Sequence, residues 1–171
     1  MSHSTVSSLP LGLARTGAPV LAGALALFWQ NPRHPPAAER NAMKVRHEAP
    51  DTPRVPRRGP YSQVVRLGDL LFVAGQAGLD PKTGAAVSGF AAQARQAFEN
   101  LRAVLEDAGS GLPHVVKTTC FLADPEGFDQ LNALYAEYFP QTPPARSTPV
   151  VKLPRGLLFS IEAIAALPLP G

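Results

Sequence analysis

From Gly59 onward, apolar and polar positions recur with periods that can be assigned to elements. Ser62-Gln63-Val64-Val65-Arg66-Leu67 and Leu70-Leu71-Phe72-Val73-Ala74 flank Gly68-Asp69, which predicts a β-hairpin around a two-residue turn. Asp80-Pro81-Lys82-Thr83-Gly84 reads as an exposed turn, with proline presetting φ and glycine permitting a positive one. Ala94, Phe98, Leu101, Val104, Leu105 and Ala108 repeat at three and four, predicting an amphipathic helix over 89–108 closed by Gly109. A strand over 114–122 follows. Asp124-Pro125 then offers an N-cap and a first-turn proline for a second helix, with Phe128, Leu131, Leu134, Tyr135 and Tyr138 on one side and its end before Pro140. Residues 146–153 and 157–166, on either side of Pro154-Arg155-Gly156, predict a second antiparallel pair.

The order is therefore ββαβαββ. Two helices that are each apolar on one face call for an α+β domain, one sheet with both helices packed against one side. The other side needs cover. Val115 and Phe121, on the alternate parity to Val116 and Leu122, would leave apolar area in water, which predicts a homo-oligomer formed through the uncovered face.

A chain of 171 residues holds one ordinary domain with a real core. The expected division is an extension over 1–55, disordered or produced by a start codon placed too far upstream of Met43, and a domain over 56–171. The stretch Ala18 to Trp29 is too short to span a bilayer, and it ends in Trp29-Gln30-Asn31-Pro32 without a small-residue cleavage pattern. A cytoplasmic protein is expected over an exported one, with no membrane partner. The formal charge of +3 belongs to the leading segment: residues 1–59 hold eight Lys/Arg against three Asp/Glu, and residues 60–171 eight against ten. A mildly acidic domain argues against a nucleic-acid partner. The lone Cys120 lies in a strand-like run and reads as a buried, inert thiol, while four scattered His residues have no ligand spacing, so no metal is expected.

Two opposite charges stand in apolar strands, Arg146 and Glu162. Removing a guanidinium from water costs several kcal/mol unless it is paired and hydrogen-bonded. Arg146 must therefore have a partner, either Glu162, as an internal ion pair that binds nothing, or something the protein binds. If 146 faces 164 in the predicted hairpin, Arg146 and Glu162 lie diagonally on one sheet face and share a site; a one-residue slip separates them.

Gly59-Pro60-Tyr61-Ser62-Gln63, Val73-Ala74-Gly75-Gln76, Asp80-Pro81-Lys82-Thr83-Gly84, Ala92-Gln93-Ala94-Arg95-Gln96, Val116-Lys117-Thr118-Thr119, Pro144-Ala145-Arg146-Ser147 and Ile161-Glu162-Ala163-Ile164-Ala165 follow one another through the domain. Together they resemble the successive motifs of the RidA/YjgF family of reactive-intermediate (imine) deaminases. The resemblance implies a chorismate-mutase-like fold with one mixed sheet, a homotrimer whose sheets form a central barrel, and ligand clefts between subunits. It implies hydrolysis of 2-imino acids to 2-oxo acids and ammonia with no cofactor. In that chemistry Arg146 grips the substrate carboxylate with two parallel charge-assisted bonds, and Glu162 handles the proton of a water aimed at the imine carbon. Tyr61, Gly75, Asn132 and Thr148 match family positions that line the cleft. Thr148 stands where many members have cysteine and Ala74 where many have serine, which argues against a covalent cysteine mechanism and puts the substrate range in question. The same resemblance leaves room for a non-catalytic trimeric module that binds small carboxylates or acts like a chaperone. Ribonuclease activity, also attached to the family, fits poorly with the acidic domain and the absence of a His pair for RNA cleavage.

Overall fold

The computed structural model describes Thr52 and residues 54–168. The expected extension lies outside these residues for most of its length, as does the apolar stretch at 18–29. At its end the packing begins earlier than the expected boundary at 56: Thr52 and Val55 are buried, and the Thr52 hydroxyl bonds to the Val55 carbonyl at 2.7 Å and to Gln63 Oε1 at 2.6 Å.

Five strands form one sheet in the order β1-β2-β5-β3-β4: β1 (Val64–Leu67), β2 (Leu70–Ala77), β3 (Val115–Leu122), β4 (Ala145–Ser147) and β5 (Phe159–Ala166). The first hairpin turns at Gly68, whose φ of 60° suits glycine. Helix α1 (Phe90–Asp107) buries Ala94, Ala97, Phe98, Leu101, Val104 and Leu105, the apolar repeat of the sequence. It stops in a Schellman motif: Gly109, at φ 79°, donates to the Glu106 carbonyl at 3.0 Å and Ser110 N–H to the Leu105 carbonyl at 2.8 Å. Asp124 caps a short 3-10 turn over Pro125–Gly127, its Oδ1 accepting from Glu126 N–H at 2.9 Å, and that turn runs into helix α2 (Phe128–Tyr138). Phe98 of α1 stacks on Tyr138 of α2 at 4.5 Å and meets Tyr135 edge-on at 6.0 Å, so aromatic packing joins the helices over the sheet.

The opposite sheet face carries Leu70, Phe72 and Val116, all exposed. Val115 and Val116 exchange the places predicted for them: Val115 is buried and Val116 is about half exposed. The cause is a register shift between Val115 and Lys117 against β5, which turns the strand by one residue at its start.

The second antiparallel pair is not formed. β4 is three residues long and runs parallel to β3, with Thr118 opposite Arg146, and residues 149–151 continue along the end of the same strand through Leu122. β5 has no edge left to offer it, because β2 occupies one side and β3 the other. Pro154-Arg155-Gly156 makes a tight turn between them, closed by Leu157 N–H to the Pro154 carbonyl at 3.2 Å.

Candidate functional site

Arg146 projects from the edge strand toward the helices. It pairs with Thr118, which is buried beneath α2 and shares its row with Ala163, so all three side chains stand on the helix-covered face. The guanidinium lies 4.7 Å from the centroid of Tyr135 and 5.6 Å from that of Phe128, and donates to Asn132 Oδ1 at 2.7 Å. Tyr135 is itself fixed by a 2.7 Å bond between its hydroxyl and Thr118 Oγ1. Burial of that phenol raises its pKa, and it stays neutral beside the arginine. Among the described residues no carboxylate lies within ion-pair distance of Arg146. An internal ion pair with Glu162 is thereby overturned. Two aromatic faces and one amide hold the cation without neutralising it, and a shallow hollow bounded by Pro143, Pro144 and Phe139 opens beside it.

Tyr61 and Gly75 meet elsewhere, in a cleft of about 580 Å³ at the β2 side of the sheet. β2 gains one residue between Val73 and Gln76 relative to β5, a bulge that brings the Ala74–Gly75 backbone to the cleft wall. A Cβ on Gly75 would stand 3.1 Å from Ser160 Oγ, so glycine keeps this wall open. Ser160 lines the cleft and donates to the Gln76 carbonyl at 3.2 Å. The buried amide nitrogens of the wall are bonded to backbone: Gln63 Nε2 donates to the Val55 carbonyl, Gln76 Nε2 to that of Ala74, and Asn100 Nδ2 to those of Ala77 and Leu79.

Glu162 is half-buried on the face opposite Arg146, in a hollow of about 270 Å³ with Phe72, Lys117 and Thr119. The expectation that Arg146 and Glu162 share one sheet face within a chain is corrected: it rested on a β4–β5 pairing that the sheet does not contain. Lys117 is engaged by the Ser147 hydroxyl at 2.7 Å rather than by the carboxylate. Thr148 is half-buried one residue beyond β4. One chain therefore carries two separate clusters, Arg146 with Asn132, and Tyr61 with Gly75. Glu162 stands two residues along the same strand face from Ser160, which lines the Tyr61–Gly75 cleft.

Sequence reasoning missed Ser160 and the Thr118–Tyr135 pair. Ser160 could have been found by parity, since it alternates with buried Phe159 and Ile161 on the face of Glu162. The Thr118–Tyr135 bond joins a strand to a helix across a span of 17 residues and leaves no local pattern. Cys120 is fully buried, and burial lifts its pKa to about 11. Among the described residues no group of three His, Cys, Asp or Glu could hold a metal, and no helix is long and apolar enough to cross a membrane.

The architecture is that of an α+β protein with one sheet and two helices on one face, a shape shared with solved structures. RidA from an Antarctic Psychrobacter superposes with a TM-score of 0.68 at 38% identity, over 70% of this chain and 99% of that one. Residues 52–167 match the family model described as Endoribonuclease L-PSP. The 2-iminobutanoate/2-iminopropanoate deaminase of Salmonella typhimurium is 45% identical over 111 residues, 63% of this chain and 87% of that protein. Reactive Intermediate Deaminase A, chloroplastic, of Arabidopsis thaliana is 40% identical over 163 residues, 92% of this chain and 87% of its own length. The chain belongs to the RidA/YjgF family.

Proposed function

We propose that the protein hydrolyses 2-imino acids to 2-oxo acids and ammonia, in clefts formed between subunits of a homotrimer. The observation that carries this is Arg146: a guanidinium held in place by Asn132, Tyr135 and Phe128, with no carboxylate among the described residues opposite it. A planar cation so fixed is pre-organised for a small carboxylate, which it can take with two parallel bonds. Deaminases among the relatives support the choice of an imino acid as the bearer of that carboxylate.

The uncovered face with Leu70, Phe72 and Val116 supports assembly into a trimeric barrel, and assembly offers the way for the two clusters to meet as halves of one site. The Arg146 half of one subunit would then face the Tyr61–Gly75 half of the next. With the carboxylate on Arg146, a water attacks the imine carbon, its oxygen forms the new C–O bond, and the C=N electron pair moves to nitrogen. One proton passes from the water to nitrogen to give the carbinolamine; the hydroxyl proton then passes to the amine as the C=O bond forms and the C–N bond breaks, releasing ammonia and the 2-oxo acid. Glu162 is the carboxylate assigned to carry these protons, with Tyr61, Gly75 and Thr148 as cleft lining. No cofactor, metal or nucleic acid enters the scheme, and a cytoplasmic setting suits it.

The test generates 2-imino acids in situ with an L-amino-acid oxidase and traps the surviving imine with semicarbazide. Wild type, Arg146→Ala and Glu162→Gln are compared as oligomers of verified size. Suppressed trapping by the wild type, abolished in Arg146→Ala and weakened in Glu162→Gln, is expected. Full activity in Glu162→Gln removes that residue from the chemistry, and no hydrolysis by a folded wild type leaves carboxylate binding without turnover.

A further inference from the structure

The turn between residue 154 and β5 contains a residue whose side chain and backbone disagree. Arg155 has φ 56° and ψ 24°, and Gly156 follows at φ 70°, the two central positions of a type I′ turn. Such turns call for Asn or Gly at the first central position, because in the left-handed region a Cβ crowds the following carbonyl oxygen at a cost of about 1–2 kcal/mol. Here that position holds the only non-glycine residue with positive φ among those described, and it is an arginine.

Arg155 lines the same 580 Å³ cleft as Tyr61, Gly75 and Ser160. Two other charged side chains line it, and both are occupied. Arg58 donates to the Pro81 carbonyl at 3.0 Å, and its guanidinium packs where a Cβ on Gly84 would stand. Asp80 Oδ1 accepts from the backbone N–H groups of Lys82 and Thr83 at 2.9 and 2.8 Å, as the cap of its own turn. Arg155 alone of the three has no hydrogen bond or ion pair among the described residues. Beside it on the same cleft stand the Tyr61 hydroxyl and the Ser160 oxygen.

We infer that Arg155 is a specificity-determining residue that receives a second, distal carboxylate, so that the cleft favours dicarboxylic 2-imino and 2-oxo acids over those with short apolar side chains. The inference rests on the imino-acid reading, with the first carboxylate on Arg146 of a neighbouring copy and the substrate side chain in the Tyr61–Gly75 cleft. The strained turn is then explained: the backbone cost is borne because a free cation is wanted at the cleft wall.

Titration calorimetry on the full chain with 2-oxoglutarate and 2-oxobutanoate tests it without requiring turnover, alongside thermal melts of Arg155→Asn. The wild type is expected to bind 2-oxoglutarate about five-fold more tightly, as suits a partly exposed charge pair, and the ratio is expected to fall to about one in Arg155→Asn. The same variant should melt at an unchanged or higher temperature, since asparagine relieves the turn. A role confined to the fold would lower the melting temperature and leave the ratio alone. No preference in the wild type, or a preference that survives Arg155→Asn, overturns the inference while 2-oxobutanoate binding keeps the imino-acid reading standing. Failure of both acids to bind overturns the two together.

Discussion

Arg146 and Glu162 stand on opposite faces of one sheet. Thr118 fixes the relationship: it pairs with Arg146 on one side and with Ala163 on the other, so Arg146 shares the face of residue 163 and not that of residue 162. Two charges that look like a pair in sequence are kept apart by the thickness of a β-sheet. Among the described residues neither has an ion-pair partner.

Arginine at 146 supplies geometry as well as charge. Arg146→Ala is expected to lower kcat/KM for a 2-imino acid by about 100-fold, the loss of a charge-assisted bidentate contact. Arg146→Lys should recover little of it, because an ammonium cannot lie flat between Tyr135 and Phe128. Asn132→Ala should act on KM more than on kcat, about three- to ten-fold, since it frees the guanidinium to wander. Steady-state kinetics of the three variants reads all of this.

The Thr118–Tyr135 bond is buried at both ends. Thr118→Val and Tyr135→Phe should each destabilise by about 1–3 kcal/mol, by stranding the other's hydroxyl. The double variant should lose less than the sum, and a urea-denaturation cycle measures the coupling. Tyr135→Phe keeps the ring under Arg146 and should retain most carboxylate affinity, whereas Tyr135→Leu should not.

Gly75→Ala places a methyl 3.1 Å from Ser160 Oγ. Binding of 2-oxobutanoate should weaken in Gly75→Ala, and pairing it with Ser160→Ala should restore part of the loss by removing the colliding oxygen. If Gly75→Ala binds as well as wild type, the glycine is not there to keep the cleft open.

Burial raises the Cys120 thiol from 9.0 to about 11. A thiol that ionises later in the folded chain stabilises it fully below pH 9.0 and ceases to as pH rises toward about 11, because the unfolded chain loses its proton first. Stability should therefore decline over that interval, less steeply in Cys120→Ala. Folded wild type should resist a thiol-specific disulfide reagent at pH 8 and react promptly in denaturant.

Elements whose cause is local were legible in the chain. The Gly68-Asp69 hairpin, the helix stopped at Gly109 and the cap at Asp124 each follow from a few adjacent residues. Pairing was not legible where it depended on which sheet edge was free. Residues 146–153 have the look of a strand beside β5, yet β5 is flanked on both sides and only the outer edge of β3 remains. The same holds for the site. Arg146 was visible as an anomalous charge, but its aromatic bed and its separation from Glu162 come from the order of strands. Ser160 and Arg155 reach their cleft through a bulge in β2 and a turn whose backbone no residue pattern announces.

That bulge makes the cleft depend on strand length as well as on side-chain identity. Ahead of it Leu71 and Val73 point inward; past it Gln76 and Gly78 do. Substitutions along 73–76 alter one surface at a time, whereas loss of a single residue there would leave Gln76 opposite Ile161 in a regular ladder and erase the bulge that brings the Ala74–Gly75 backbone to the cleft. The cleft wall thus needs one residue more than the sheet beside it.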